Sequence, residues 1–101
     1  MMDLTSSQRR HLRGLAHALS PVVIVGSAGL SEGVVREVHG ALDAHELIKV
    51  KLDADRDERG ALAVELSKAC RAAVAQQIGH VVVLYRPNKD AKKRKIVFPS
   101  G

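Results

Sequence analysis

The chain has 101 residues, 46% hydrophobic and 27% charged, so it is long enough for one folded domain and too short for two. Its 16 lysines and arginines outnumber 11 aspartates and glutamates, and the net charge of +5 favours polyanionic partners or an anionic surface. With one tyrosine, one phenylalanine and no tryptophan, the composition argues against a platform of aromatic rings that stacks bases.

A single cysteine and the distribution of apolar residues indicate the compartment. Cys70 has no partner for an internal disulfide, and no apolar run of about twenty residues is present. No signal-like stretch is recognisable. We therefore expect a soluble cytoplasmic protein with one domain over residues 1–98 and a short tail over residues 99–101.

The first predicted element is an amphipathic helix that stops near Leu19. Thr5 and Gln8 have the spacing of a capping box, and Pro21 prevents continuation. Arg9, Arg13 and His17, four residues apart, share a cationic side, with Arg10 beside it. The apolar stripe predicted for the buried side contains Leu12, Leu15, Ala16 and Leu19.

A buried strand and a second helix follow. Residues 22–25 (VVIV) form a β-branched run, which predicts a strand buried on both faces. After a glycine-containing loop, Ser31 can cap a helix. The predicted apolar stripe of that helix contains Val34, Val38, Ala41 and Leu42.

The second half predicts a strand, a helix and a hairpin. In residues 47–52 (LIKVKL) apolar residues alternate with Lys49 and Lys51, which predicts a half-exposed strand with a lysine face. Acidic residues then precede a third helix with the stripe Leu62, Leu66, Ala69, Cys70 and Ala73. Two strand-like runs between residues 74 and 86 flank Gly79 and His80, a pair suited to a type II′ turn.

The order of these elements predicts the fold class. It is helix, strand, helix, strand, helix, strand, strand, and the strand-helix-strand unit favours a parallel first pair with a right-handed crossover. We predict an α/β protein, a two-layer sandwich built on a small mixed four-stranded sheet.

The loop Gly26-Ser27-Ala28-Gly29 is the first candidate site. Glycines let the backbone approach a ligand, and amide groups at the start of a helix attract anions, so the loop can hold a phosphate. Alternatively, the glycines only permit a tight turn from strand to helix. The spacing fits neither the P-loop, which has four residues between its glycines, nor the dinucleotide fingerprint.

Clustered positive charge is the second candidate. Nine of the 16 basic residues fall in the first helix and after the last strand, whereas acidic residues concentrate between residues 37 and 65. Such separation suits a phosphate-binding face, although a solvated helix and a solubilising tail would look the same. The nine are Arg9, Arg10, Arg13, Arg86, Lys89, Lys92, Lys93, Arg94 and Lys95.

Catalytic and metal-binding patterns have little support. The five histidines lack the paired spacing of zinc ligands, and Cys70 lies on an apolar stripe, where a thiol is inert packing. Asp53, Asp55 and Asp57 do not match a calcium loop, and helix initiation explains them. We expect no cofactor, no metal and no enzymatic activity.

Four motifs in order, HLRGLAH, PVVIVGSAGLSEGVV, HELIKVK and IGHVVVLYR, resemble the bacterial YhbY family, the single-domain form of the CRM domain, over about residues 4–98. The resemblance implies an RNA-binding domain with a fold similar to the C-terminal domain of translation initiation factor three. It also implies a loop similar to the Gly-x-x-Gly loop of KH domains. Bacterial members are associated with precursors of the large ribosomal subunit, and plant organellar relatives with intron splicing.

The family motifs fall on definite residues of this chain. The loop corresponds to residues 26–29, the basic helix motif to Arg13 and its neighbours, and the strand-end pair to Tyr85 and Arg86. Many relatives have a lysine or arginine between the two glycines. Here Ser27 and Ala28 offer a hydroxyl and backbone amides, so the charge has to come from outside the loop.

These observations predict a non-enzymatic, monomeric protein that binds RNA, with ribosomal RNA in precursors of the large subunit as the expected target and no membrane association. The alternative is a protein-interaction module that docks on ribosomal proteins or assembly factors; DNA binding is compatible with the charge alone. Whether the lysines of the second strand share the binding face depends on strand order. The candidate RNA-binding residues are Gly26, Ser27, Ala28, Gly29, Arg9, Arg10, Arg13, Lys49, Lys51, Arg86, Lys89, Lys92 and Lys93.

Overall fold

Three helices and four strands follow one another in the predicted order. The computed structural model describes residues 3–26 and 28–99. The helices are α1 (Ser6–Ala16), α2 (Glu32–His45) and α3 (Arg56–Cys70), the strands are β1 (Pro21–Val25), β2 (Leu47–Leu52), β3 (Ala73–Ile78) and β4 (Val81–Tyr85), and a short 3-10 helix covers Ala91–Lys93.

The strands form one mixed sheet in the order β1-β2-β4-β3. β1 and β2 are parallel, whereas β2 with β4 and β3 with β4 are antiparallel. This topology confirms the predicted α/β fold with a mixed four-stranded sheet. The carboxyl ends of β1 and β2 therefore lie beside the β3–β4 turn, and we call this the loop end of the sheet.

Helices pack on both faces of the sheet. α2 and α3 cover one face, and with it they form the predicted two-layer sandwich around a core that includes Val38, Leu42, Val50 and Leu66. α1 packs on the opposite face, where Leu12 contributes to a second, smaller cluster. Because α1 is short, this third layer is partial and leaves part of the sheet uncovered.

That partial cover corrects two predictions about burial. Val22 and Ile24 are 51% and 62% exposed, so β1 is buried on one face only, because it is an edge strand beyond the reach of α1. Leu15 and Leu19 are only partly covered, at 43% and 37% exposed, since α1 ends at Ala16 and the chain turns away towards β1. The α3 prediction was also partly wrong: Ala69 is exposed, Ala73 belongs to β3, and Ala63 and Ser67 complete the buried face.

Local sequence signals determine where the elements begin and turn. Thr5 Oγ1 accepts from the Gln8 amide at 3.1 Å and Gln8 Oε1 accepts from the Thr5 amide at 3.0 Å, which confirms the capping box. Ser31 Oγ accepts from the Val34 amide at 3.1 Å and caps α2. Gly79 has a φ of +54° and His80 does not have a positive φ, as a type II′ turn requires.

Candidate nucleic-acid interface

The face of the sheet that α1 leaves open carries the two lysines of β2. Ile48, Val50 and Leu52 enter the core under α2 and α3, so Lys49 and Lys51 point to the α1 face. The strand order thus places both lysines on the same face as the first helix.

Strand register aligns two rows of side chains across this open face. In the outer row, nearest the loop end, Lys51 pairs with Ile24 and with Val81, and Val81 pairs with Ile78. In the inner row Val83 pairs with both Lys49 and Gln76. We call these two rows the sheet platform, defined by Ile24, Lys51, Val81, Ile78, Lys49, Val83 and Gln76.

A basic cleft joins the platform to α1. Arg13 and His17 from the end of α1 line a cleft of about 210 Å³ together with Lys49, Gln76 and the floor valines of β4. Two predicted residues, Arg13 and Lys49, are thereby brought together across a sequence separation of 36 residues. His17 shares the four-residue spacing of Arg9 and Arg13 but was not among the predicted RNA-binding residues, and no pattern or motif singles out Gln76.

The other predicted arginines of α1 are exposed to solvent. Arg9 lies one helical turn before Arg13, so the two side chains share a flank of the helix. Arg10 is also exposed but lies farther around the helix. The cationic side of α1 therefore extends the basic cleft through Arg9.

The glycine loop forms a tight turn between β1 and α2. The Gly29 amide donates to the Gly26 carbonyl at 3.0 Å, and Gly29 has a φ of +81°, a conformation that strains other L residues. Because this amide bonds within the turn, it is not directed at a ligand. Ser27 lies outside the described residues, Ala28 is exposed, and a phosphate seat here stays a prediction.

Acidic side chains line one side of the glycine loop. A cleft of about 320 Å³ lies between Gly26, Gly29 and α3, and Asp57, Glu58 and Glu65 line it. Their carboxylates repel phosphate, so this side of the loop disfavours an anionic ligand. Acidic and basic residues are separated along the sequence, but the fold brings the acidic residues of α3 next to the glycine loop, which was predicted to hold phosphate.

Arg86 makes several hydrogen bonds inside the protein, and its predicted RNA contact stays a prediction. Its guanidinium donates to the carbonyl oxygens of Cys70 at 2.6 Å and His39 at 3.2 Å, bonds to His39 Nδ1 at 2.8 Å, and pairs with Asp43 at 2.9 Å. The side chain is 15% exposed. Since both terminal nitrogens of the guanidinium bond to groups inside the protein, we leave Arg86 out of the proposed interface. Its neighbour Tyr85 is buried as well and packs edge-on against Phe98.

The basic tail is held by Glu46, a residue that sequence inspection missed. The buried carboxylate accepts from the backbone amides of Asn88 at 2.7 Å, of Ile96 at 3.1 Å and of Lys95. Burial by itself raises the pKa of Glu46, but these three donors and the charge of Arg94 outweigh it, so the pKa lies below 4.5. In the sequence, Glu46 is one acidic residue between a helix and a strand, and nothing in the local pattern indicates that its carboxylate binds the tail.

The tail lysines lie at the end of the sheet opposite the glycine loop. Lys89, Lys92 and Lys93 are exposed, and Glu46, which anchors their segment, immediately precedes β2. Six residues of β2 separate this anchor from the loop end, a length of about 20 Å. One phosphate cannot touch both the tail lysines and the loop end. The predicted basic residues therefore fall into two separate basic regions: the tail lysines, and the open face with Arg13, Lys49 and Lys51.

The described ranges 3–26 and 28–99 contain few other chemical features. Within them no group of three metal-ligating side chains comes together, and no helix has the length and apolarity to cross a membrane. Cys70 is fully buried, and this burial raises the pKa of its thiol even though Arg86 lies nearby.

Known proteins share both the family and the fold of this chain. The family model described as the CRS1/YhbY (CRM) domain matches residues 4–86. A Haemophilus influenzae protein named "RNA-binding protein" is 47% identical over 93 residues, which cover 91% of this chain and 94% of that protein. A Pseudomonas aeruginosa protein named "Probable RNA-binding protein" is 45% identical over 93 residues, covering 91% and 89% of the two chains.

The fold comparison agrees with the sequence comparison. The solution structure of a Staphylococcus aureus protein superposes with a TM-score of 0.80 at 36% identity, and the match covers 96% of this chain and 100% of that one. The matched family region contains all three helices and all four strands described above. The chain therefore belongs to the CRS1/YhbY (CRM) domain family.

Proposed function

We propose that this protein binds RNA, without catalysing a reaction, through the basic cleft, the sheet platform and the glycine loop. One observation carries the proposal: Arg13, Lys49 and Lys51 converge on one open face. Among residues 3–26 and 28–99, only Arg86 forms an ion pair with a carboxylate. The cations of the open face therefore have no internal counter-charge within these ranges to compete with an external polyanion, and the relatives named above as RNA-binding proteins support RNA as that ligand.

Phosphate attraction is the main source of affinity in this proposal. Each cation that neutralises a phosphate releases condensed counterions, so log K falls by about 0.7 to 0.9 per contact as log salt rises. The platform and α1 supply this sequence-independent attraction, and the Gly26–Gly29 turn brings the backbone close to the RNA. The carboxylates of α3 exclude the RNA from the far side of the loop.

The proposed target is ribosomal RNA in precursors of the large ribosomal subunit, bound by a monomer in the cytoplasm. Membership of a family whose bacterial members are associated with those precursors supports this target. Crosslinking in cells followed by sequencing of the bound RNA tests it. Reads concentrated on ribosomal RNA are expected, and reads spread over other transcripts would rule out the assembly role while leaving RNA binding intact.

Binding itself is tested with a charge substitution on the open face. Lys51→Gln should weaken RNA binding about fivefold and lower the salt slope by roughly 0.7 to 0.9, as expected for one lost phosphate contact. Lys68→Gln is the matched control, because Lys68 is an exposed lysine on α3, away from the platform. Equal effects of the two substitutions would remove the platform from the interface.

A second function, docking on ribosomal proteins or assembly factors, is favoured by one apolar groove. Leu15, Leu19 and Val22 line a groove of about 480 Å³ between the end of α1 and β1, with Leu47 and Ile96 at its base. A pull-down before and after ribonuclease treatment separates the two functions. Partners lost after treatment were held through RNA, whereas retained partners would indicate direct protein contacts.

A further inference from the structure

The outer row of the sheet platform combines exposed aliphatic side chains with a lysine. Ile24 and Ile78 are 62% and 63% exposed, and they stand on either side of Lys51 and Val81. Large aliphatic side chains are usually covered in a sheet, and this pair lies on the same face as the unpaired lysines. The surface is therefore apolar and cationic together.

A surface of this kind matches unpaired nucleotides better than a duplex. A double helix hides the faces of its bases and presents phosphates, 2′-hydroxyls and base edges, which are polar. Unpaired bases present apolar faces beside charged phosphates. Ile24 and Ile78 would gain contact only with the second kind of ligand, whereas Lys51 would attract either.

The dimensions of the row suit a short unpaired stretch. It crosses all four strands, and three inter-strand spacings amount to about 14 Å. Four-stranded RNA-binding sheets place two or three bases across such a width. Lys51 stands in the middle of the row and Lys49 one row behind it, so a phosphate between two neighbouring bases meets a cation.

We infer that the sheet platform binds the faces of two or three unpaired RNA bases on Ile24, Val81 and Ile78, so that the ligand is a single-stranded stretch of RNA. The inference rests on the proposed RNA binding and names the class of RNA for that same face. Lys51 and Lys49 hold the phosphates, and the aliphatic side chains replace the aromatic rings that the chain lacks. Charge complementarity excludes an apolar protein surface as the occupant, because such a partner would bury both lysines without a counter-charge.

The experiment compares two forms of one RNA on two matched protein variants. The probes are an unpaired RNA of about 12 nucleotides and mixed sequence, and the blunt duplex of the same sequence. The platform variant is Ile24→Thr with Ile78→Thr, since threonine keeps the β-branched shape that strands favour. The control variant is Val64→Thr with Val97→Thr, two aliphatic residues that are also exposed but lie outside the platform. Thermal unfolding of each variant verifies its fold.

The expected result is a preference that depends on the two isoleucines. The unmodified protein should bind the unpaired RNA about tenfold more tightly than the duplex. The platform variant should lose most of that preference and keep its duplex affinity, and the control variant should behave like the unmodified protein. A duplex bound as tightly as the unpaired RNA, or a platform variant with unchanged preference, overturns the inference and leaves the proposed function standing. No binding of either RNA overturns both.

Discussion

The two ends of β2 use charged residues in opposite ways. At the amino end, Glu46 and Arg86 each make several hydrogen bonds inside the protein, and Arg86 is mostly buried. Towards the loop end, Lys49 and Lys51 point to the open face, and neither forms an ion pair with a carboxylate of the described ranges 3–26 and 28–99. The comparison teaches that residue type alone does not reveal the role of a charged side chain. A charged side chain is used inside the protein where buried backbone groups nearby need a hydrogen-bond partner, and it stays free for a ligand where they do not.

The reason lies in what converges at each end. At the amino end the last turn of α2, the end of β4 and the tail meet, so buried carbonyl and amide groups need charged partners. At the loop end the strands finish in short turns, and α1 does not extend over this part of the sheet. Charges there stay in solvent and available to a ligand.

The largest expected effect is on stability, at Arg86. Arg86→Met leaves two backbone carbonyls without their side-chain donor, so the free energy of unfolding should fall by about 3 kcal/mol; little of this comes from Asp43, which is 67% exposed. Urea unfolding measures the loss. RNA affinity per folded molecule should not change, and a stable variant with weakened RNA binding would return Arg86 to the interface.

A smaller loss of stability is expected at Glu46, together with a change in pH dependence. Glu46→Gln leaves backbone amides of the tail without their carboxylate and should lower the free energy of unfolding by about 2 kcal/mol at neutral pH. Since the folded pKa lies below the ordinary 4.5, the carboxylate stabilises fully above that value, and the contribution is lost as pH falls through the folded pKa.

Unfolding measured from pH 7 to pH 3 for both proteins checks this prediction about Glu46. The two stability curves should converge at the acid end, because the protonated carboxyl no longer favours the fold. A constant difference across the whole range would mean that the carboxylate charge does not hold the tail.

The third prediction compares the two basic regions by RNA affinity. Lys49→Gln with Lys51→Gln should weaken binding by about 20-fold, and Lys92→Gln with Lys93→Gln by about threefold, because the tail lysines lie roughly 20 Å from the loop end. Titration of a fluorescent RNA at two salt concentrations measures both. Equal losses would show that the RNA crosses the whole length of the sheet.

The smallest effect is expected in the glycine loop. Gly29→Ala places a side chain at a φ of +81° and should cost about 1 kcal/mol of stability. Gly26→Ala is the matched control, since a Cβ there meets no atom within 4 Å and its φ is not in the left-handed range. Equal melting temperatures for the two variants would mean that the turn relaxes without strain.

Local sequence patterns predicted the helices and strands. Which of their side chains are exposed depends on how the helices and strands pack together. The Thr5 capping box and the alternation in β2 are confirmed, because both depend on neighbours close in sequence. The exposure of Ile24 could not be predicted, since β1 becomes an edge strand only through the strand order. Arg86 looked like any basic residue at a strand end, because its partners lie 16 to 47 residues away.

The candidate interface was predictable in part for the same reason. Arg13 came from a helical cluster and Lys49 from strand alternation, and the fold brings the two together. The acidic side of the glycine loop was not foreseen, because α3 reaches the loop only in the folded protein.

Glu46 holds the tail through main-chain amides, so these bonds do not depend on the charge of the side chains that the tail carries. Asn88, Lys95 and Ile96 each contribute a backbone N–H to the carboxylate. Any residue except proline has that donor. The charge of the tail can therefore be changed without loss of these bonds, while the packing of Phe98 against Tyr85 adds an apolar contact that also needs no charge.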